Sequence, residues 1–229
     1  MPTRTEAWGK HLVVDVDAAD GPVCLHVHLG LFGRFRRRPV PPPDPRGALR
    51  LRLVGDERTW DLSGPTACEL VDPDQLEALL DRLGPDPLRA DADGGRFVER
   101  AGRSRRPIGS LLMDQAVVAG IGNVYRAELL FRAGIDPRVP GRSLSADELG
   151  GLWDDAVALL RIGERLGRIV TTDPAEVRPD LARPTPGKLA ADDRLYVYRR
   201  ESCRRCDAPI ERFEIEGRRA YACPVDQRR

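Results

Sequence analysis

Apolar and polar positions alternate in short runs over residues 11–16, 23–31, 49–54 and 59–62, with Gly, Pro and Asp between the runs. A period of two broken by turn formers is the pattern of antiparallel strands, and it predicts a sandwich or barrel. The five prolines of residues 39–47 make a stiff surface connector. Asp72-Pro73-Asp74-Gln75 then offers a cap, a proline for the first turn and an acidic opening. Leu76, Leu79, Leu80 and Leu83 supply the buried stripe of that helix, and Gly84-Pro85 ends it. Residues 84–95, rich in Pro, Asp and Gly, mark a domain boundary.

Beyond that boundary the period becomes helical. Pro107 suits a first turn, with Ile108, Leu111 and Leu112 following at i, i+3, i+4 spacing. Ser145-Ala-Asp-Glu148 is a capping box, and Leu149, Leu152, Trp153, Ala156 and Leu160 give the next helix one apolar face. Residues 171–193 show little periodicity and read as a functional loop or a disordered one. At the end, Cys203-x-x-Cys206 precedes Cys223 by sixteen residues. Two strand-like runs, 210–215 and 218–222, lie between, and the spacing signals a zinc ribbon.

One stretch, residues 115–131, organises the second half. It reads as a helix end, a glycine hinge at Gly120 and Gly122, and a second helix opening on Asn123 as N-cap and stopping at Gly134. Amides at a helix N-terminus beside a glycine turn make a phosphate-sized anion site, although a capped helix hairpin in any core has the same spacing.

Composition narrows the classes. The 229 residues are 41% hydrophobic and 32% charged, which describes a globular chain of one or two domains. A net charge of +1 does not announce a nucleic-acid partner. Four arginines between 34 and 38 and three between 103 and 106 are local clusters of the kind that a solvated face also carries. Neither a membrane span nor a signal peptide is visible. Five cysteines, three of them near the C-terminus, fit metal ligation in a reducing compartment, and a cytoplasmic protein is the expectation.

The run Gln-x-Val-Val-Ala-Gly-Ile-Gly-Asn-x-Tyr, followed by Glu128-x-Leu-Phe and Ala-Gly-Ile-Asp-Pro137, resembles the helix–two-turn–helix motif of the formamidopyrimidine-DNA glycosylase/endonuclease VIII family. The likeness extends from about residue 5 to the end and is nearest to the endonuclease VIII branch. It implies that Asn123, Gly120 and Gly122 grip a DNA phosphate. It further implies that Lys10 contacts the phosphate near a damaged nucleotide, and that Leu31 and Phe32 plug the gap left by an extruded base. Arg218, five residues before Cys223, matches the arginine at the tip of the family's zinc finger, whereas Arg219 has no such counterpart. His28 reads as structural, and His26 says little. Asp226 stands where the family has its fourth cysteine, so the implied zinc set is Cys203, Cys206, Cys223 and Asp226, a weaker set than four thiolates. The resemblance also places a lesion-contacting loop near residues 171–193.

The family's chemistry uses an N-terminal proline followed by glutamate. The amine attacks the sugar C1′ to give a Schiff base, and an α-amino pKa of about 7.7–8.0 leaves a useful neutral fraction. Here the chain reads Met1-Pro2-Thr3-Arg4, with seven residues between Pro2 and Lys10 where the family has a helix and its first strands. The expectation is a shortened sandwich without the catalytic pair, Pro2 being a poor substitute nucleophile and Glu6 the nearest carboxylate.

The expected fold is α+β and multidomain. It comprises a truncated antiparallel β-sandwich over residues 1–90, a helix–two-turn–helix domain over 91–195 and a zinc-ribbon finger over 196–229. The expected function is a base-excision-repair DNA glycosylase and abasic-site lyase, impaired or truncated, acting as a monomer on damaged double-stranded DNA in the bacterial nucleoid. A non-catalytic damaged-DNA-binding protein is the alternative, and a zinc-ribbon protein for RNA or another protein is a third reading.

Overall fold

The computed structural model describes residues 2–18, 21–45 and 47–228. Contacts divide the chain into two compact units, residues 1–82 and residues 83–229.

The first unit is a sandwich of two antiparallel sheets. Strands β1 (Pro2–Trp8), β2 (His11–Ala18), β3 (Gly21–His28) and β7 (Ala67–Val71) form one sheet in the order β1-β2-β3-β7. The strands β4 (Arg34–Arg38), β5 (Leu49–Val54) and β6 (Thr59–Ser63) form the other, in the order β4-β6-β5. Val14, Leu25 and Val27 of the first sheet meet Leu62 of the second, with Leu12, Val16, Phe35 and Leu51 packed around them. Register fixes the opposite face of the first sheet: Val13 pairs with His26, His11 with His28, and His26 with Glu69. Helix α1 (Pro73–Leu80) lies against β3. Asp72 caps it, as the sequence predicts, and the Gln75 side chain adds the reciprocal bond that completes a capping box. Its leucine stripe differs from expectation, since no residue of α1 is fully buried; a helix of eight residues on a single sheet shields only part of each side chain.

The second unit is helical and ends in a ribbon. Helices α2 (Gly94–Gly102), α3 (Ile108–Leu111), α4 (Asn123–Arg132) and α5 (Ala146–Leu166) share one core that includes Phe97, Ile108, Leu111, Leu129, Leu149 and Leu152. The Ser145–Glu148 capping box opens α5. After the short α6 (Pro174–Val177) the chain closes back on itself, Thr171 N donating to Arg194 O at 2.9 Å and Thr172 Oγ1 to Asp193 O at 2.6 Å. The residues that the sequence leaves as irregular are therefore a tied loop. Strands β8 (Glu211–Ile215) and β9 (Arg218–Ala222) form the terminal ribbon. The other side of α4 packs on it through Ala127 and Phe131, against Tyr196, Val197, Ile210 and Tyr221. From Tyr125 to Phe131 every residue of α4 is buried, so α4 is the axle on which the helical core and the ribbon are both mounted.

Candidate nucleic-acid interface

The glycine hinge shapes the start of α4. Gly120 takes φ +89°, a conformation that suits glycine. Its amide donates to Gln115 Oε1 at 3.0 Å, while Gln115 Nε2 donates to the carbonyls of Met113 and Ile121. One glutamine side chain thus braces the whole turn. The helix begins one residue earlier than its spacing predicts: Gly122 is the N-cap, extended at φ −116° and ψ −179°, and no side chain caps the helix. Asn123 is the first helical residue, and its side chain is drawn elsewhere. Asn123 Nδ2 donates to Arg219 O at 3.0 Å, and its Oδ1 accepts from Arg126 Nη2 at 2.5 Å. Gly134 ends the helix at φ +68°, with Ile135 N donating to Leu130 O at 2.9 Å.

Arg126 completes the link between α4 and the ribbon. It is 1% exposed, and Nη2 also donates to Arg219 O at 2.6 Å. Its Nε has no partner among the described residues. Burial, then the nearby Arg218 charge, lowers its pKa to about 10. The Arg218 side chain is exposed and makes no hydrogen bond or ion pair among the described residues. It lines a cleft of about 140 Å³ with Arg106, Ser110, Asp114, Arg126 and Glu216. Arg106 ties that cleft together, reaching Asp114 at 2.7 Å and Glu216 at 2.7 Å. The bond from Arg106 holds the Glu216 carboxyl down at about 2. The structure therefore brings Gly122, Asn123 and the ribbon tip with Arg218 into one frame, whereas the Gly120 amide is already engaged.

The ribbon base gathers Cys203, Cys206, Cys223 and Asp226, whose ligand atoms lie within 4.8 Å of one another. Cys203 Sγ and Cys223 Sγ stand 3.1 Å and 3.3 Å from Asp226 Oδ2, and the Cys206 and Cys223 sulfurs are 3.4 Å apart. Cys203 and Cys223 are buried, and burial pushes the Cys203 thiol well above its ordinary pKa. Three thiols and a carboxylate this close form a donor set that could hold a metal ion, because a cation is what favours their ionised forms together. Gln227 buttresses the set, its Oε1 accepting from Cys223 N and its Nε2 donating to Ile135 O, both at 2.8 Å.

In the sandwich unit, Lys10 sits at the tip of the β1–β2 hairpin after Gly9, which has φ +57°. It lines a cavity of about 400 Å³ with His11, Val27, His28, Leu29 and Phe35. Leu31 and Phe32 occupy the turn that follows β3, and they are 80% and 81% exposed. Large apolar side chains held this far into water are not core residues. His26 is buried, bonded to His11 at 2.9 Å and to Glu69 at 3.1 Å. Met1 and the side chain of Pro2 lie outside the described residues; the Pro2 backbone pairs with Val16 in β1. Glu6 is engaged by Arg4 and by Trp8 Nε1.

Sequence reasoning passed over Gln115, Arg126, Glu128 and Gln227 as site supports. Their signal was polar side chains inside apolar helical or turn positions, which in a buried helix demand partners. Glu128 finds four: Thr171 Oγ1 and the amides of Tyr196, Val197 and Tyr198.

Comparison with known proteins gives concordant matches. The family described as formamidopyrimidine-DNA glycosylase H2TH domain matches residues 83–174. A protein of Mycobacterium tuberculosis named endonuclease 8 1 is 47% identical over 98% of this chain and 83% of its own length. The formamidopyrimidine-DNA glycosylase of Thermus thermophilus is 34% identical over 96% of this chain and 79% of its own length. Among solved structures, the Lactococcus lactis enzyme FPG in complex with DNA containing FAPY-dG aligns at a TM-score of 0.76 and 25% identity. That alignment covers 100% of this chain and 82% of the other.

Proposed function

The chain belongs to the formamidopyrimidine-DNA glycosylase/endonuclease VIII family, and from that premise we propose that it works in base-excision repair, as a DNA glycosylase and abasic-site lyase for oxidised bases in duplex DNA. The observation that carries the reading is the bonding of Asn123 and Arg126 to the carbonyl of Arg219. It locks the first turn of α4 to the ribbon tip, so that backbone amides with no intrahelical partner and the Arg218 guanidinium are presented by one rigid body. In this role Gly122 and Asn123 hold a phosphate, Gly120 shapes the turn, and Arg218 reaches the strand near the lesion. In the sandwich, Lys10 supplies a second phosphate contact. Leu31 and Phe32 fill the space of the extruded base, an apolar plug offsetting part of the few kcal/mol that flipping costs. The working form is a monomer in the cytoplasm, at the nucleoid. No helix among the described residues is long and apolar enough to cross a membrane.

Zinc is the metal we assign to Cys203, Cys206, Cys223 and Asp226, all donors it accepts. Bound there it would pin the ribbon base and leave the DNA-facing tip to the arginines. Metal analysis should find one zinc per chain, and a folded sample free of metal would overturn the assignment.

A second reading keeps the grip without the chemistry. It rests on Glu6, the carboxylate nearest Pro2, which is already held by Arg4 and Trp8. Borohydride trapping on a duplex with one abasic site separates the two. A covalent adduct that disappears in Pro2→Gly establishes the lyase. Preferential binding of that duplex with no adduct establishes the second reading, and equal affinity for intact duplex sinks both.

A further inference from the structure

The two strands of the ribbon carry their arginines on opposite faces. Register pairs Arg212 with Tyr221 and Glu214 with Arg219, so these four side chains share one face. Phe213, Ile215, Arg218 and Ala220 take the other. On the Arg218 side the neighbouring cations are already used. Arg138 bonds Asp136 and Glu211 and lies 3.6 Å over the Phe213 ring, and Arg106 is held by Asp114 and Glu216.

The Arg219 side differs. It opens on a cleft of about 520 Å³ lined by Asn123, Tyr198, Arg199, Arg212, Arg219 and Tyr221, with the Glu214 carboxylate also on its wall. None of the three arginines has an ion pair among the described residues. Arg219 stands across from Glu214 without bonding it, and the Arg212 guanidinium donates only to the carbonyl of Arg200, at 3.1 Å. Arg199 comes from a tight turn in which Arg200 N donates to Val197 O at 3.2 Å. Its φ of +57° is one that turns of this kind usually give to glycine. Its guanidinium lies 5.4 Å from the Tyr198 ring, and Tyr198 meets Tyr221 edge-on at 5.0 Å. The Tyr198 ring thus steadies the Arg199 guanidinium, and no carboxylate neutralises any of the three arginines among the described residues.

We propose that Arg199, Arg212 and Arg219 form a second backbone-phosphate site within the helix-and-ribbon unit, one that extends the DNA contact from Asn123 along the ribbon face that carries Arg212 and Arg219. The proposal rests on the DNA-binding reading above. Asn123 lines the same cleft, so a strand held at the start of α4 continues directly into it. Planar guanidinium forks around a polar cleft match successive phosphodiesters, and nothing in the cleft reads a base, so the contact is independent of sequence.

The test is the affinity for an abasic-site duplex across a salt titration, for the wild type, Arg199→Gly, and the triple variant Arg199→Gly/Arg212→Ala/Arg219→Ala. Each phosphate that a variant no longer neutralises should lower the slope of log K against log salt by about one. Arg199→Gly should weaken binding with Tm unchanged or raised, because glycine accepts the left-handed turn, and this separates a weakened phosphate grip from a disturbed fold. A folded triple variant with wild-type slope and affinity overturns the second site while leaving the repair function standing. Wild-type protein that binds no duplex at all overturns both.

Discussion

Arg126 and Glu128 stand two residues apart on α4, both buried and of opposite charge, yet their surroundings are opposite in kind. Glu128 receives four donors at 2.6–2.9 Å from the 171 and 196–198 segments. Arg126 meets only neutral oxygens, from Asn123, Arg219 and Gly109, has an Nε without a partner, and faces the like charge of Arg218. A buried charge whose hydrogen bonds are complete holds segments together. A buried charge left without a counter-ion keeps its potential, and here it lies beside Arg218, on the face where we propose that DNA binds. On one side the helix is built for cohesion; on the other, some cohesion has been given up for an anion-attracting surface.

The largest effect should come from breaking the cohesive side. Glu128→Ala strands three amides, two of them in buried residues, and leaves the Thr171 hydroxyl only the Arg194 carbonyl, and it should cost about 3–5 kcal/mol of stability in urea unfolding. A loss under about 1 kcal/mol, of the size a surface pair gives, would mean that water replaces the carboxylate and that the contrast is false. Arg126→Met tests the other side. Its loss should be about 2 kcal/mol, since it frees Asn123 Oδ1 and leaves Arg219 O one donor. Duplex affinity should fall as well, because Asn123 and the ribbon tip lose their common anchor. Equal stability losses for the two variants would erase the asymmetry.

Some of this was legible in the sequence, and the divide has a physical cause. The strands read from alternation are β2, β3, β5 and β6. The three passed over, β1, β4 and β7, lie at sheet edges, where one flank is unpaired and polar residues such as Thr3, Arg36 and Glu69 are tolerated; β5 is an edge as well, but Leu49, Leu51 and Leu53 alternate with its arginines and keep it legible. The hairpin, the Asp72 cap, the Ser145–Glu148 capping box and the CxxC ribbon were visible because each is a local pattern of a few residues. The bonding of Asn123 was not, since its partner Arg219 lies 96 residues away and contributes a carbonyl that any residue carries. For the same reason the N-cap was misassigned: asparagine is a good cap only when nothing better claims its amide.

The sandwich repeats the theme with a titratable group. His11 stacks between His26 and His28, with Lys10 and Arg82 nearby. Burial, then these charges, lowers its pKa from 6.5 to about 4. Between those values the unfolded chain binds the proton and the folded one does not, so stability falls as pH drops through the window and is flat below it. With the ring half-buried, solvent screening reduces the loss to about 1 kcal/mol. His11→Gln should flatten the dependence of the unfolding midpoint on pH between neutrality and the low end of that window. An unchanged dependence would place the proton on another group.

The smallest effect has the most telling sign. Arg218 has no ion pair and lies beside the buried Arg126 cation, whose charged form it disfavours. Arg218→Ala should therefore raise stability by a few tenths of a kcal/mol, as removal of a strained functional residue often does. The same variant should lose about one unit of the salt slope for duplex binding. Calorimetry and a salt titration on one sample decide it. A variant that binds worse because it is less stable would make Arg218 a structural residue. A variant that is slightly more stable and yet binds worse means that the chain holds two like charges together at the ribbon tip against its own stability, and a polyanion is the partner for which that arrangement pays.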